Sequence, residues 1–201
     1  MKKRTITAII MMGVLGSLFY FKILLIPSII IFLLCGLEII HKKEINFWTY
    51  LALLQSLGIL LINSLEVKQI LYIATIIVAN DSMSYLGGKF CNFGLFKRHP
   101  FPKLSPHKTY GGYLYGLISV ILLTIVLNLS IKQCDINILK SIVIAIFGVL
   151  GDLLNSKFKR THHLKNSGEG LPTEKILSGH GGFYDRFDAL SLGLIGAYLI
   201  L

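Results

Sequence analysis

The sequence predicts an all-α fold: one membrane domain over residues 1–201, polytopic, with about seven transmembrane helices. Three observations carry that expectation. Hydrophobic residues make up 54% of the chain and the mean hydropathy is +0.70, well beyond an ordinary soluble domain. The apolar residues gather in membrane-length runs, at 5–21, 23–40, 45–63, 70–88, 113–131, 138–155 and 187–201. The basic residues, finally, fall on alternate sides of those runs. With the amino terminus inside, sixteen Lys/Arg lie in the cytoplasmic segments and four outside or at the outer interface.

Taken in order, the first run follows Lys2, Lys3 and Arg4 and continues past Lys22 without a small-residue cleavage site, so it reads as a retained span. Lys22 and Pro27 oppose one continuous buried helix, which makes the first two runs a tight hairpin. The amino-terminal spans occupy residues 1–79. The later spans are joined by basic loops at 89–112 and 156–186, and 187–201 forms a short terminal span. Basic cytoplasmic loops attract anionic headgroups and nucleotides. The net charge of +10 does not mark a nucleic-acid binder, because no motif or interleaved aromatic pattern accompanies it. Cys35, Cys91 and Cys134 lack metal-ligand spacing and read as packing residues.

Most spans are dominated by Ile, Leu, Val and Phe; the fourth and sixth are expected to carry the chemistry. The fourth holds Asn80-Asp81-Ser82 and the sixth ends Gly151-Asp152-Leu153-Leu154-Asn155-Ser156. An aspartate in a span costs several kcal/mol unless it is paired, hydrated or metal-bound, so Asp81 and Asp152 are functional candidates. Helical spacing puts Asp152 and Ser156 on one stripe that continues to Lys159 or Arg160, a wall suited to a metal-bound phosphate. The same cluster equally suits a snorkelling helix end. In the loop after the fourth span, Ser105-Pro106 makes a turn, Lys108 offers a point charge and Thr109 a hydroxyl. Before the last span, His180-Gly181-Gly182-Phe183-Tyr184-Asp185-Arg186-Phe187-Asp188 places two carboxylates three residues apart beside an arginine. Such a pair suits a divalent cation, and Arg186 a phosphate; a polar loop at a helix start is the plainer alternative. The P-loop and dinucleotide fingerprints are absent.

In this order, these pieces resemble phosphatidate cytidylyltransferase, the CDP-diacylglycerol synthase family. Its signature is similar to Ser156-Lys157-Phe158-Lys159-Arg160 with Lys165-Asn166, followed by the run from His180 to Asp188. Asp81, Tyr85 and Gly88, and Ser105-Pro106 with Lys108-Thr109, match further landmarks. The resemblance implies that residues 80–188 are the catalytic region, with a polar cavity on the cytoplasmic side. It implies transfer of the cytidylyl group of CTP to phosphatidate, dependent on Mg²⁺ and on a second cation if two flank the transferred group. It further implies Asp152, Asp185 and Asp188 as metal-side carboxylates; Ser156, Lys159, Arg160, Lys165, His180 and Arg186 as catalytic residues; and Asp81, Ser105, Lys108, Thr109 and Asn166 as substrate contacts. Membrane lipid is a partner, a homodimer is consistent with the family, and a bacterial-type inner membrane is the expected location. Four departures from the family stand out. Asn166 replaces the usual Asp, Thr173–Ser178 reads as an insertion, the sequence is shorter than is usual for the family, and Tyr110-Gly111 replaces the customary Trp-Glu. They leave open a related CTP-dependent enzyme with another lipid acceptor, or an inactive lipid- or nucleotide-binding relative.

Overall fold

The computed structural model describes residues 25–41, 45–90, 94–106, 108–130, 136–173 and 181–201, and among these residues there is no strand. Among the described residues six α-helices carry the fold: α1 (Leu25–Ile40), α2 (Phe47–Ser56), α3 (Val67–Phe90), α4 (Tyr110–Ser130), α5 (Ile138–Thr161) and α6 (Tyr184–Ile200). A 3₁₀ segment, Leu57–Ser64, continues α2, and a 3₁₀ turn, Gly94–Lys97, precedes α4. Among the described residues four helical stretches are long and apolar enough to cross a membrane: Phe47–Ser64, Val67–Phe90, Tyr110–Leu129 and Ile138–Thr161. α1 is apolar but shorter, at 16 residues. The expected first span at 5–21 lies outside the described residues. The chain is an all-helical polytopic membrane protein.

Local chemistry starts three of these helices. Asn46 and Thr49 form a reciprocal capping box on α2, with Thr49 N donating to Asn46 Oδ1 at 3.1 Å and Asn46 N to Thr49 Oγ1 at 3.3 Å. Asn137 caps α5 by accepting from Lys140 N at 2.9 Å. Thr109 caps α4, its Oγ1 accepting from Gly112 N at 3.1 Å. α6 has no such side-chain cap of its own.

Two apolar centres hold the bundle together. Where α3, α4, α5 and α6 meet, Ile73, Ile76, Val120, Ile144 and Leu194 are fully buried. Where α1, α2, α5 and α6 meet, Cys35, Ile39, Ile59, Phe158 and Tyr184 do the same. Outward-facing residues such as Leu122, Val126, Leu129 and Leu139 are exposed, as a lipid-facing surface requires. The α3–α4 crossing is tight because α4 presents glycine. A Cβ on Gly112 would stand 2.5 Å from Ser84 O, and one on Gly116 would overlap Ser84 Oγ. That close approach carries the start of α4, and Lys108 just before it, onto the middle of α3.

The structure moves several expected boundaries. α5 runs six residues beyond the apolar stretch ending at 155, so Ser156, Lys159 and Arg160 are helical rather than part of a loop. Cations in a last turn complement the helix dipole, so the helix outlasts its hydrophobicity. Likewise Tyr110–Gly112 belong to α4, and α6 begins at Tyr184, ahead of the apolar run. The expectation of chemically quiet spans elsewhere fails as well. α1 buries Glu38, which accepts from Ser167 Oγ, and α2 buries Gln55, which donates to Asp188 O.

Candidate functional site

A cavity of about 320 Å³ opens where α3, α5 and the start of α6 converge. Its polar wall comprises Asp81 and Ser82 of α3, Asp152 of α5, and Asp185, Arg186 and Asp188 of α6. Its floor is apolar, from Ile77 and Val78 across to Ala189 and Leu190. Four carboxylates expected from separate stretches of sequence thus face one space.

Lys108 ties two of them together. Its Nζ lies 2.8 Å from Asp152 Oδ2 and 3.3 Å from Asp81 Oδ1. The backbone here is fixed: Tyr110 N donates to Arg98 O at 3.0 Å, and His99 Nδ1 lies 3.2 Å from Lys108 O. Burial alone pulls the ammonium pKa down, but Asp152 and then Asp81 outweigh it and hold the pKa above its ordinary value of 10.5. Asp81 is the open end of this bridge, its side chain 67% exposed against 31% for Asp152.

Asp185 is gripped on both oxygens. Oδ1 accepts from Lys159 Nζ at 2.7 Å and from Asn155 Nδ2 at 2.9 Å. Oδ2 accepts from the backbone N–H groups of Ser167 at 2.8 Å and Gly182 at 3.1 Å. Asn155 Nδ2 also reaches Asp188 Oδ2 at 2.7 Å, so one buried amide bridges two carboxylates. Its own Oδ1 finds no partner among the described residues. The orientation is nevertheless set, since turning the amide over would aim its carbonyl at both acids. Asp188 is buried, and its Oδ1 accepts from Ala189 N at 2.7 Å.

The predicted residues therefore separate into groups. Asp81, Lys108, Asp152, Lys159, Asp185 and Asp188 form two hydrogen-bonded clusters around the cavity, and Arg186 lines its mouth. Ser156 and Arg160 lie on α5 but not among the cavity's wall residues. Along α5 the working stripe is Asp152, Asn155 and Lys159, at i, i+3 and i+7, rather than one through Ser156. Thr109 caps α4, and Ser105 lies in the preceding turn, its N–H donating to Phe101 O at 2.8 Å. Lys165 is exposed, and Asn166 sits in the turn beside it, its carbonyl accepting from Glu169 N at 3.3 Å. The neighbouring Ser167 is what touches Asp185. His180 and most of the Thr173–Ser178 stretch lie outside the described residues.

Three supporting residues were not anticipated: Glu38, Gln55 and Asn155. Gln55 Nε2 donates to Asp188 O at 2.7 Å and to Gly151 O at 3.1 Å, while its Oε1 accepts from Tyr184 Oη at 2.8 Å. It joins α5 to α6 directly behind the acids. A signal was present for all three, because a lone polar side chain inside an apolar run needs a partner as much as Asp81 does.

Around a second, larger hollow of about 520 Å³ the lining is almost wholly apolar, with Phe101, Tyr113, Leu117, Ile146, Val149 and Leu153 among its walls. It also touches Asn80, so it lies next to Asp81 and Asp152 in both helices.

The cytidylyltransferase family matches residues 45–201, most of the chain. The phosphatidate cytidylyltransferase of Staphylococcus haemolyticus is 38% identical over 124 residues, covering 60% of this chain and 44% of that protein. The one from Bacillus subtilis is 35% identical over 136 residues, covering 66% of this chain and 46% of that protein. In Helicobacter pylori the protein of the same name is 33% identical over 138 residues, with 66% and 46% covered. The chain thus spans less than half the length of these curated relatives.

Proposed function

Because the chain belongs to the cytidylyltransferase family, we propose that it transfers the cytidylyl group of CTP to phosphatidate, giving CDP-diacylglycerol and pyrophosphate. A phosphatidate oxygen forms the new bond to the α-phosphorus of CTP, the α–β bridging P–O bond breaks, and pyrophosphate departs with that bridging oxygen. The observation carrying this reading is that a carboxylate-rich cavity and an apolar groove flank the same two stretches, Asn80-Asp81 and Asp152-Leu153. A lipid whose acyl chains occupy the groove brings its phosphate to the cavity without leaving the bilayer. The names of the three relatives support phosphatidate as the acceptor.

Catalysis of this kind rests on positioning and on neutralising phosphate charge. Lys108 and Arg186 stand at the cavity as phosphate partners, and Lys159 holds Asp185 in place. Ser156, Arg160, Lys165 and His180 are proposed to complete the substrate contacts, with Ser105, Thr109 and Asn166 shaping the surrounding loops. The donor set fits Mg²⁺, a hard cation held through one or two carboxylates with substrate phosphate filling its remaining positions. Among the described residues no three His, Cys, Asp or Glu side chains form a ready-made ligand group. Of the three metal-side acids Asp152 is the most accessible, with Asp185 and Asp188 more deeply placed. A cation held by these carboxylates would supply neutralisation of phosphate charge. The reading extends to about seven spans, an inside amino terminus, a cavity facing the cytoplasm and a bacterial-type inner membrane.

The test is purified protein with α-labelled CTP, Mg²⁺ and phosphatidate in mixed micelles, with Asn166→Asp alongside. Label moving into the organic phase as CDP-diacylglycerol supports the reading. Product from Asn166→Asp alone would mark the chain as a disabled relative, and product from neither would refute the reaction.

A further inference from the structure

α1 precedes the segment shared with the family, yet it reaches the site through Glu38. Glu38 is fully buried, and its carboxyl group accepts three hydrogen bonds from two distant stretches. Oε1 accepts from Phe183 N at 2.9 Å; Oε2 accepts from Tyr184 N at 3.0 Å and from Ser167 Oγ at 2.8 Å. These stretches are the two whose backbone N–H groups, on Ser167 and Gly182, hold Asp185 Oδ2. Ser167 closes the circuit, its Oγ also accepting from Asp185 N at 3.3 Å.

We infer that Glu38 is a positioning residue: it pins the turn at 166–168 against the start of α6 and so fixes the direction in which Asp185 faces the cavity. These parts pack closely. A Cβ on Gly182 would overlap Ser167 Oγ and Glu38 Oε2, and Gly181 has φ +86°, so the turn approaches the carboxyl group only because it is glycine. Glu38 also takes the place of the missing cap on α6, accepting from two of the N–H groups that a helix start leaves unpaired. An amide cannot substitute. Glutamine has one accepting oxygen, and its NH₂ would meet a second donor, leaving Phe183 N or Tyr184 N without an acceptor. Glu38 touches no cavity wall, so its effect on turnover passes through Asp185.

The role rests on the proposed transfer reaction, and amide exchange tests it apart from that reaction. In Glu38→Gln, hydrogen exchange over residues 181–186 is expected to quicken by about tenfold or more while the spans retain their protection. Turnover of CTP with phosphatidate, measured well below the melting point, is expected to lose about tenfold or more in kcat, with KM for CTP within about threefold. Ser167→Ala, a milder change that removes one of the three donors, should show the same local signature with a smaller loss. Exchange that quickens uniformly through the spans, or a folded Glu38→Gln protein with wild-type kcat, would overturn the assignment. If the native chain has no turnover, the reaction falls, and the exchange pattern alone decides the role: local loss upholds it, and unchanged or uniform exchange in both variants overturns it.

Discussion

Asn155→Ala probes the bridge between the two α6 carboxylates with a single truncation. The side chain supplies hydrogen bonds of 2.9 Å to Asp185 and 2.7 Å to Asp188, and it is 1% exposed. A hydrogen bond to a charged group contributes about 1.5–3 kcal/mol. Asp185 keeps Lys159, Ser167 N and Gly182 N as donors, so its loss belongs at the low end. Among the described residues Asp188 keeps Ala189 N alone as a donor, so its loss lies nearer the top. Together these come to about 4 kcal/mol, offset by about 1 kcal/mol because the unpartnered Oδ1 disappears with the amide. A net loss of about 3 kcal/mol lowers Tm by about 6–12 °C in a chain of this size. Trp48, the sole tryptophan, reports the melt by fluorescence in detergent. Asn155→Asp should melt lower still, since a third acid replaces the shared donor. A Tm within about 2 °C of the native protein, or an Asn155→Asp melt above that of Asn155→Ala, would refute the reasoning.

Three further outcomes follow from the same geometry. Lys108 has a folded pKa above its ordinary 10.5, so its contribution to stability is fully present below about 10.5 and is lost only as pH rises through the higher folded value. The rate should therefore show no alkaline limb from Lys108 at pH 7–9, and Lys108→Met should cost about 100-fold or more across that range, as pH–rate profiles would reveal. Asp152→Asn and Asp185→Asn should both abolish turnover, but they should differ in stability. Asp152 is partly exposed, so its loss costs about 1 kcal/mol or less, whereas Asp185→Asn turns an amide NH₂ toward established donors and costs about 2–4 kcal/mol, a contrast that paired melts would reveal. Asn166→Asp should change turnover by less than about threefold, because Ser167 rather than Asn166 contacts Asp185; a parallel rate assay checks it.

The four spans found among the described residues were legible because hydrophobic runs of this length have few alternative explanations, and Asp81 and Asp152 stood out against them. Which acids share a space was less visible. Spacing along α5 relates Asp152 to Lys159, but nothing local says that Lys108, from a loop, closes on Asp152 and Asp81. That contact follows from the α3–α4 crossing at Gly112 and Gly116, a tertiary event. Helix ends were misplaced because hydropathy stops at 155 while backbone hydrogen bonding continues to Thr161. Glu38 was passed over because, three residues before His41-Lys42-Lys43, it reads as the charged edge of a span. Its three donors lie more than a hundred residues away in the chain, beyond any local pattern.

The central claim is cytidylyl transfer, and the most direct measurement supplies CTP labelled at the α- or the γ-phosphate to protein in phosphatidate micelles with Mg²⁺. The account predicts that α-label enters the lipid while γ-label leaves as pyrophosphate, and that both transfers vanish in Asp152→Asn. Label from the γ-position in the lipid, with CDP released, would contradict it in favour of a kinase. Binding of CTP with neither label transferred would contradict it in favour of a binding protein.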